Sequence, residues 1–484
     1  MGLLGILVAL GFLIWLSYRG WSILLLAPAA AIVASAFARE PLLAHWTQTF
    51  MGSAAQFLAQ FFPLFLLGAL FGKLMDDSGS VRAISRFMTE RLGSAHAMLA
   101  VVLAGAMVTF GGVSLFVAFF VLAPMAQELF RAADIPRRLM PAAIALGTST
   151  FTMSALPGTP AIQNAIPMPF FGTTPFAAPG LGIIASAIML GFGMWWLRRA
   201  QATARLAGEG YGGVAAASPE SAAEDQIVRE RATTAREFDP AEIRHGHTSE
   251  TLPPVSLAVL PLVTVVSVNF LMAMFVLPHR DFSFLAQERW GSTTLSAVAG
   301  VWSVVVALAS ATAVLIFINR KRLPALRESM DAGANASVLP ALSVASLVGF
   351  GAVIAMLPAF AIVRDWVLSI GGGPLVSLAA ATNVLSALTG SASGGLTIAL
   401  DALGDTYMRL ASEQGIDPAL LHRVAVISSG TLDSLPHNGA VVTLLAVCGA
   451  THSESYRDIV VVAIAGALLA LVAVIVLGSM FGSF

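Results

Sequence analysis

Polar and helix-breaking residues interrupt two apolar stretches of the chain in the same way. One stretch contains TMSALPGTP at residues 152–160, and the other contains TLDSLPHNG at residues 431–439. Pro, Gly and hydroxyl residues inside a hydrophobic helix free backbone amides and carbonyls, which hydrocarbon cannot satisfy. Such backbone is tolerated where it lines an enclosed or aqueous cavity, so the two breaks predict a binding site for a small ligand.

Each break is predicted to expose the amino end of a restarted helix. Thr159 could cap one such helix with Pro160 at its first position, and Asn438 could cap the run that starts at Gly439. A helix amino end carries roughly half a positive charge and bare N–H groups, so it binds a carboxylate or phosphate. No fixed cation is predicted beside either break, and the pattern therefore favours an anion held by helix ends.

Two further apolar blocks, residues 95–130 and 374–401, carry glycine and hydroxyl residues near their centres. Glycine lets the backbone approach a ligand closely. The predicted substrate contacts in the breaks and in these blocks are Thr109, Gly111, Gly112, Ser114, Thr152, Ser154, Gly158, Thr159, Gln163, Asn164, Thr389, Ser391, Ser393, Thr431 and Asn438. The alternative for each hydroxyl is a bond to the preceding helical turn or to a neighbouring helix.

Asp433 and His437 are predicted to carry a coupling proton. A carboxylate in the hydrocarbon zone is costly and is by default functional, and a histidine titrates near neutral pH. Asp433 could instead cap the broken backbone or help to hold sodium, and His437 could be structural. Three other acidic residues near span ends are predicted to be solvated or paired with Arg82, Arg131 or their neighbours: Asp76, Asp77 and Glu128.

The composition indicates a polytopic helical membrane protein. Hydrophobic residues make up 57% of the 484 residues, charged residues 11%, and the mean hydropathy is +0.83, which excludes a soluble domain of this length. Near-continuous apolar runs of roughly 16 to 25 residues exclude a transmembrane barrel. The single Cys448 excludes a disulfide within the chain, and no cofactor, metal or nucleic-acid partner is predicted.

The apolar runs predict about ten transmembrane helices, two of them broken, with residues 2–17 as a retained first span. The predicted spans are 2–17, 22–37, 57–75, 139–169, 179–197, 255–277, 292–318, 338–360, 421–449 and 458–480. With the amino terminus outside, 20 of the 26 Lys and Arg residues face the cytoplasm, as the positive-inside rule requires. The six predicted outside are Arg39, Arg280, Arg289, Arg364, Arg409 and Arg423.

The same charges place both ends of block 95–130 in the cytoplasm and both ends of block 374–401 outside, so each block is predicted to be a re-entrant hairpin. Residues 200–252 are rich in Ala, Glu, Arg, Gly and Ser and predict a flexible cytoplasmic linker between residues 1–199 and 253–484. Each half then holds three spans, a hairpin, a broken span and a closing span. The prediction is an all-α membrane fold of two inverted-topology repeats, with both termini in the periplasm.

Four segments resemble the gluconate permease (GntP) family of bacterial organic-anion symporters. They are GTSTFTMSALPGTPAIQNAIP at 147–167, FGKLM at 71–75, GGVSLF at 111–116 and SLPHNG at 434–439. The resemblance implies proton-coupled uptake of gluconate or a related hydroxycarboxylate across the inner membrane. It also implies a homodimer whose transport domain carries the hairpins in an elevator-like cycle.

The identity of the acid and of the coupling ion stays open. The PGTP pattern at 157–160 resembles members that handle short acids such as 3-hydroxybutyrate, and sodium is an alternative to the proton. A channel is disfavoured because closed hairpins in inverted halves suit alternating access. An enzyme is disfavoured because the chain has no His-Glu-x-x-His motif and no Gly-x-Ser-x-Gly elbow.

Overall fold

The computed structural model describes residues 2–18, 21–212, 249–436 and 438–484, and this part of the chain contains helices and turns without β-strands. The helices of the first half are α1 Gly2–Tyr18, α2 Ile23–Ala38, α3 Leu42–Asp77, α4 Ser80–Leu92, α5 Ala97–Phe110, α6 Leu115–Ala132, α7 Met140–Thr148, α8 Phe151–Ser154, α9 Ile162–Ala165, α10 Pro167–Phe171 and α11 Pro179–Leu206. Those of the second half are α12 Val255–Val276, α13 Leu295–Ile318, α14 Leu326–Met356, α15 Phe360–Leu368, α16 Gly373–Thr389, α17 Ala392–Gln414, α18 Pro418–Ser429, α19 Gly439–Cys448 and α20 His452–Phe481.

Seven described helices are long and apolar enough to cross a membrane, or eight if the bent pair α4 and α5 counts as one span. The seven are α3, α6, α11, α12, α13, α14 and α20. Four of the ten predicted spans are not among these seven helices. They are α1 and α2, which are shorter, and the two spans that were predicted to be broken. Helix α6, which the sequence assigned to a hairpin, has 18 residues and passes the same test.

The two halves have the same order of elements. Each contains three helices, a short helix (α4 or α15), a helical hairpin (α5 with α6, or α16 with α17), a broken segment and a closing helix. The short helices were missed in the sequence because α4 is amphipathic and α15 is only nine residues long. Helix α4 meets the following helix at 101°.

Helices α3 and α14 pack closely along their length, and glycines make the approach possible. A Cβ at Gly333 would lie 3.0 Å from the Cα of Leu70, and one at Gly349 would lie 2.7 Å from the carbonyl oxygen of Phe50. Small residues at such crossings are typical of membrane helix pairs, in which close packing replaces the hydrophobic drive. This pair forms one wall of the site described below.

Of the predictions for Asp77, solvation is wrong: the residue forms an ion pair near the end of α3, and its partner is Lys73 rather than Arg82. Asp77 is fully buried, and one of its carboxylate oxygens lies 2.9 Å from Nζ of Lys73, which is 1% exposed. The two residues are one helical turn apart, so each neutralises the other where water is excluded.

Polar contacts also join the halves at the far ends of the broken segments. Arg137 donates to the carbonyl of Cys448 at 3.0 and 3.2 Å and to that of Gly449, at the end of α19. Arg138 donates to Asp458 at 2.6 Å. The predicted linker lies mostly in residues 213–248, outside the described residues, while α11 continues to Leu206.

Candidate functional site

The first break leaves helical conformation between Ser154 and Ile162, as the sequence predicted, and buried side chains bind its carbonyls. Nη1 of Arg423 donates to the carbonyl of Ala155 at 3.1 Å. Nδ2 of Asn269 donates to that of Gly158 at 3.0 Å, and Nδ2 of Asn164 to that of Thr159 at 3.0 Å. Each donor replaces a partner that a continuous helix would have supplied.

Arg423 lies inside the protein, which corrects its assignment to the outside. Its guanidinium is fully buried and also donates to the carbonyl of Ala177 at 2.6 and 3.1 Å. The planar guanidinium group carries five N–H donors and can bond to several carbonyls at once. Carbonyls at a helix end carry a partial negative charge, which attracts this cation. A fixed cation therefore does lie beside the first break, bound to backbone.

His422, the neighbour of Arg423, extends this network. Its Nε2 lies 3.1 Å from Oδ1 of Asn164, and its Nδ1 lies 2.6 Å from the hydroxyl of Thr173. An Nε2–H tautomer satisfies both contacts, because Oδ1 can only accept and the hydroxyl can donate. Sequence reasoning missed His422 and Asn269; the signal available was a polar residue within an apolar run.

The prediction that Thr159 caps a helix starting at Pro160 is wrong. Helix α9 begins at Ile162 with Ala161 as its N-cap, which offers no side-chain oxygen. The hydroxyl of Thr159 instead accepts from the backbone N–H of Ala161 at 3.4 Å. A residue before proline is driven into extended conformation, so the chain stays extended here and the helix starts later.

The second break, between Ser429 and Gly439, has the predicted cap. Oδ1 of Asn438 accepts from the N–H groups of Ala440 at 2.7 Å and Val441 at 3.3 Å. Its Nδ2 donates to the carbonyl of Gly390 at 2.8 Å. Asn438 thus confirms the capping prediction, but it also occupies two of the amide donors that the sequence had offered to an anion.

The two breaks and the two hairpin turns meet. Gly112, with φ +96°, brings the first turn against the first break, where an added Cβ would lie 3.0 Å from Pro160. A Cβ at Gly430 in the second break would lie 3.1 Å from that of Ser154 in the first. Together with the bond from Asn438 to Gly390, these contacts join all four segments.

A cavity of about 230 Å³, the large cavity, lies between these segments and the α3–α14 pair. Its walls are mostly apolar, including Leu64, Phe65, Pro340, Val344 and Leu347. Its polar lining consists of hydroxyls and one amide: Thr109, Ser114, Gln163, Ser337, Ser343, Ser391 and Ser393. Ser114 is the N-cap residue of α6 and makes no capping bond with its side chain.

A second cavity of about 70 Å³, the small cavity, is lined by residues of both breaks. Gln163, Ser391 and Ser393 line both cavities. Oε1 of Gln163 is buried and has no hydrogen-bond partner. An unpartnered buried amide oxygen is costly, which makes Gln163 a candidate to accept a hydrogen bond from a ligand.

The predicted contact residues divide into two groups. Eight line one or both cavities: Thr109, Gly112, Ser114, Ser154, Gln163, Ser391, Ser393 and Asn438. Seven line neither: Gly111, Thr152, Gly158, Thr159, Asn164, Thr389 and Thr431. For all fifteen residues, a role in ligand binding stays a prediction.

Most of the predicted hydroxyls make the alternative bonds expected in membrane helices. Five donate to the carbonyl four residues earlier: Thr109, Thr152, Ser154, Thr389 and Thr431. Such a bond satisfies the donor and leaves the oxygen lone pairs available. The cavity-lining members Thr109 and Ser154 could therefore still accept from a ligand.

Asp433 lines the small cavity and is the only ionisable residue among the described residues that line either cavity. The hydroxyl of Ser434 donates to its Oδ1 at 3.1 Å. Asp433 forms no ion pair within the described residues. His437, the other predicted coupling residue, lies outside them.

Comparisons with known proteins identify relatives of the chain. Residues 1–170 match the model of the GntP family permeases. An uncharacterised transporter of Bacillus subtilis, YxjC, is 40% identical over 466 residues, which cover 95% of each chain. The high-affinity gluconate transporter of Escherichia coli is 35% identical over 104 residues, 21% of this chain and 23% of that one.

A solved structure shares the fold. The structure of MtrF from Neisseria gonorrhoeae, whose description concerns a class of antimetabolite efflux pumps, matches with a TM-score of 0.53 at 15% sequence identity. The match covers 91% of this chain and 85% of that one. At this identity the likeness concerns the fold alone.

Substitution of Asn438 should separate its two contacts. Asn438→Ser keeps an oxygen that can cap α19 but is too short to reach Gly390, whereas Asn438→Ala loses both contacts. We expect stability to fall in the order native, Ser, Ala, with loss of the cap costing about 1 kcal/mol. Thermal unfolding in detergent measures the order, and equal midpoints for the Ser and Ala variants would contradict the capping role.

Proposed function

The chain belongs to the GntP family of permeases, and we propose that it takes up a small hydroxycarboxylate by symport with protons across the bacterial inner membrane. Its relatives are transporters, so it is a membrane transporter and not an enzyme. One observation carries the proposal: two breaks and two hairpin turns surround two cavities that are both lined by Gln163, whose amide oxygen has no hydrogen-bond partner among the described residues.

In the proposed complex the substrate lies in the large cavity. Its carboxylate faces the first turn of α6, which follows the N-cap residue Ser114. Ser391 and Ser393 line the same cavity and offer hydroxyl groups. A helix amino end without a side-chain cap suits a carboxylate. The hydroxyl of the substrate donates to Gln163, which selects a hydroxy acid over its deoxy analogue.

Two observations favour substrates of different chain length. The relative in Escherichia coli is a gluconate transporter, which supports a sugar acid. The walls formed by α3 and α14 are mostly apolar, and an apolar wall leaves the many hydroxyls of gluconate without partners. This second feature supports 3-hydroxybutyrate, whose methyl group would contact the wall, as the second candidate.

The proposed cycle uses the repeated order of elements. Two inverted repeats with ten spans and two re-entrant hairpins would form a transport domain from the hairpins and breaks, moving against α3 and α14 in an elevator-like manner within a homodimer. The position of the large cavity between the hairpin turns and the α3–α14 pair supports this division. Asp433, in the adjoining small cavity, would carry the proton.

The first test is uptake of labelled gluconate and labelled 3-hydroxybutyrate into proteoliposomes of the purified protein. We expect accumulation of one acid with an inward proton gradient and its loss when a protonophore collapses the gradient. An inward sodium gradient at constant pH forms the parallel arm. Accumulation with sodium alone would contradict proton coupling, and no accumulation with either gradient would contradict the hydroxycarboxylate assignment.

Gln163→Leu should weaken binding of the transported acid. Loss of one neutral hydrogen bond costs about 1 kcal/mol, so we expect KM to rise roughly fivefold with little change in maximal rate. The matched control is Gln414→Leu, at an exposed position at the end of α17. An unchanged KM in Gln163→Leu would remove this residue from the site.

Asp433→Asn should uncouple transport. The amide cannot carry a proton, so we expect gradient-driven accumulation to be lost while exchange of internal for external substrate persists. Asp365→Asn, at an exposed carboxylate beside Arg364, is the control and should accumulate normally. Loss of exchange together with loss of folded protein, seen by size-exclusion chromatography, would assign Asp433 a structural role instead.

A further inference from the structure

A basic groove of about 370 Å³ opens at the surface between the start of α5 and the last turns of α11, and it shares no lining residue with either cavity. Its polar lining includes His96, Arg198, Gln201 and Arg205, and Met194 contributes an apolar side. Arg198, Gln201 and Arg205 are spaced by three and four residues, so they share one face of α11. The two arginines and His96 are exposed.

Among the described residues, no carboxylate is paired with the arginines of this groove. Within the described residues, Arg198 and Arg205 make no ion pair and no side-chain hydrogen bond. The acidic side chains close by are already engaged. Asp134 accepts from the backbone N–H of Tyr211 at 2.8 Å, and Glu209 is paired with Arg138 at 2.8 Å.

The amino end of α5 adds to this charge. Helix α5 has 14 residues, and His96 at its N-cap makes no capping bond with its side chain. Residues 97–99, the first turn, line the groove. The partial positive charge of the helix end therefore acts on the same space as the two guanidinium groups.

The groove lies where the apolar part of α11 ends. Trp195 is 53% exposed and contacts Phe192, with ring centroids 5.5 Å apart. Trp196 points inward and donates to Asp458 at 2.9 Å. Exposed tryptophan is typical of the boundary between hydrocarbon and headgroups, so Arg198 follows at headgroup depth.

We propose that this groove binds the phosphate of an anionic phospholipid headgroup. Arg198 and Arg205 lie about 10 Å apart along the helix axis, and long side chains of that spacing reach one phosphate from both sides. The amide of Gln201 lies between them and bonds the headgroup hydroxyls, while Met194 and Trp195 contact the first methylenes of the acyl chains. A free phosphate would use the same donors but not this apolar surface.

Native mass spectrometry of the purified full chain in neutral detergent tests the assignment. Phosphatidylglycerol is titrated in the presence of phosphatidylcholine, and bound lipid is counted for the native protein and for an Arg198→Gln, Arg205→Gln double variant. A hydrogen bond from a guanidinium to a phosphate contributes about tenfold in affinity, so the double variant should bind phosphatidylglycerol roughly 100-fold more weakly. Binding of phosphatidylcholine should be equal in both.

The control is an Arg199→Gln, Arg327→Gln variant, which removes the same charge from residues that do not line the groove. It should bind phosphatidylglycerol like the native protein. If the first double variant does not fold, Arg205→Gln alone, at an exposed position in the last turn of α11, replaces it, with an expected loss of about tenfold.

A parallel titration with inorganic phosphate separates the two sources of the anion. Displacement of phosphatidylglycerol by millimolar phosphate would show a site for the free anion and overturn the lipid assignment. Equal loss of lipid in the groove variant and the control would also overturn it, since nonspecific charge would then explain binding. Retention of lipid against phosphate, with loss only in the groove variant, is the expected result.

Discussion

Backbone groups that leave a helix inside a membrane have no water to bond, and this constraint explains the polar side chains around both breaks. In the first break, Arg423, Asn269 and Asn164 bind the free carbonyls of Ala155, Gly158 and Thr159. In the second, Asn438 binds two amides of α19. The breaks can exist because side chains, not solvent, complete them, and this leaves a small set of groups to face the cavities.

Polar contacts at the first break and at the end of α19 also hold the two halves together. Asn269 and Arg423 belong to the second half but bind the first break, and Arg137 of the first half binds carbonyls at the end of α19 in the second. A substrate in the large cavity would contact residues of both halves at once, including Ser114 and Ser391. Substrate binding there would depend on the same interface as the integrity of the fold.

The sequence predicted the positions of both breaks, the cap at Asn438 and the elements that form the site, because Pro, Gly and amide residues act locally. It failed where the answer depends on distant partners. Asn164 has the polar side chain expected of a ligand contact. Its amide is instead hydrogen-bonded to His422 and to two backbone carbonyls. The positive-inside count treats an arginine near a helix start as exposed, so it assigned Arg423 to solvent. The count contains no information on the backbone carbonyls that surround this side chain.

The separation along the chain between the first break and its donors bears on how the protein is made. Asn269, the donor to the carbonyl of Gly158, is synthesised 111 residues after it. Arg423, the donor to the carbonyl of Ala155, is synthesised 268 residues after it. At ribosomal rates of about 5 to 20 residues per second, the second interval lasts roughly 13 to 54 s. During insertion the first half must hold unsatisfied carbonyls for that time, so its broken segment acquires its final form only after α18 has left the ribosome.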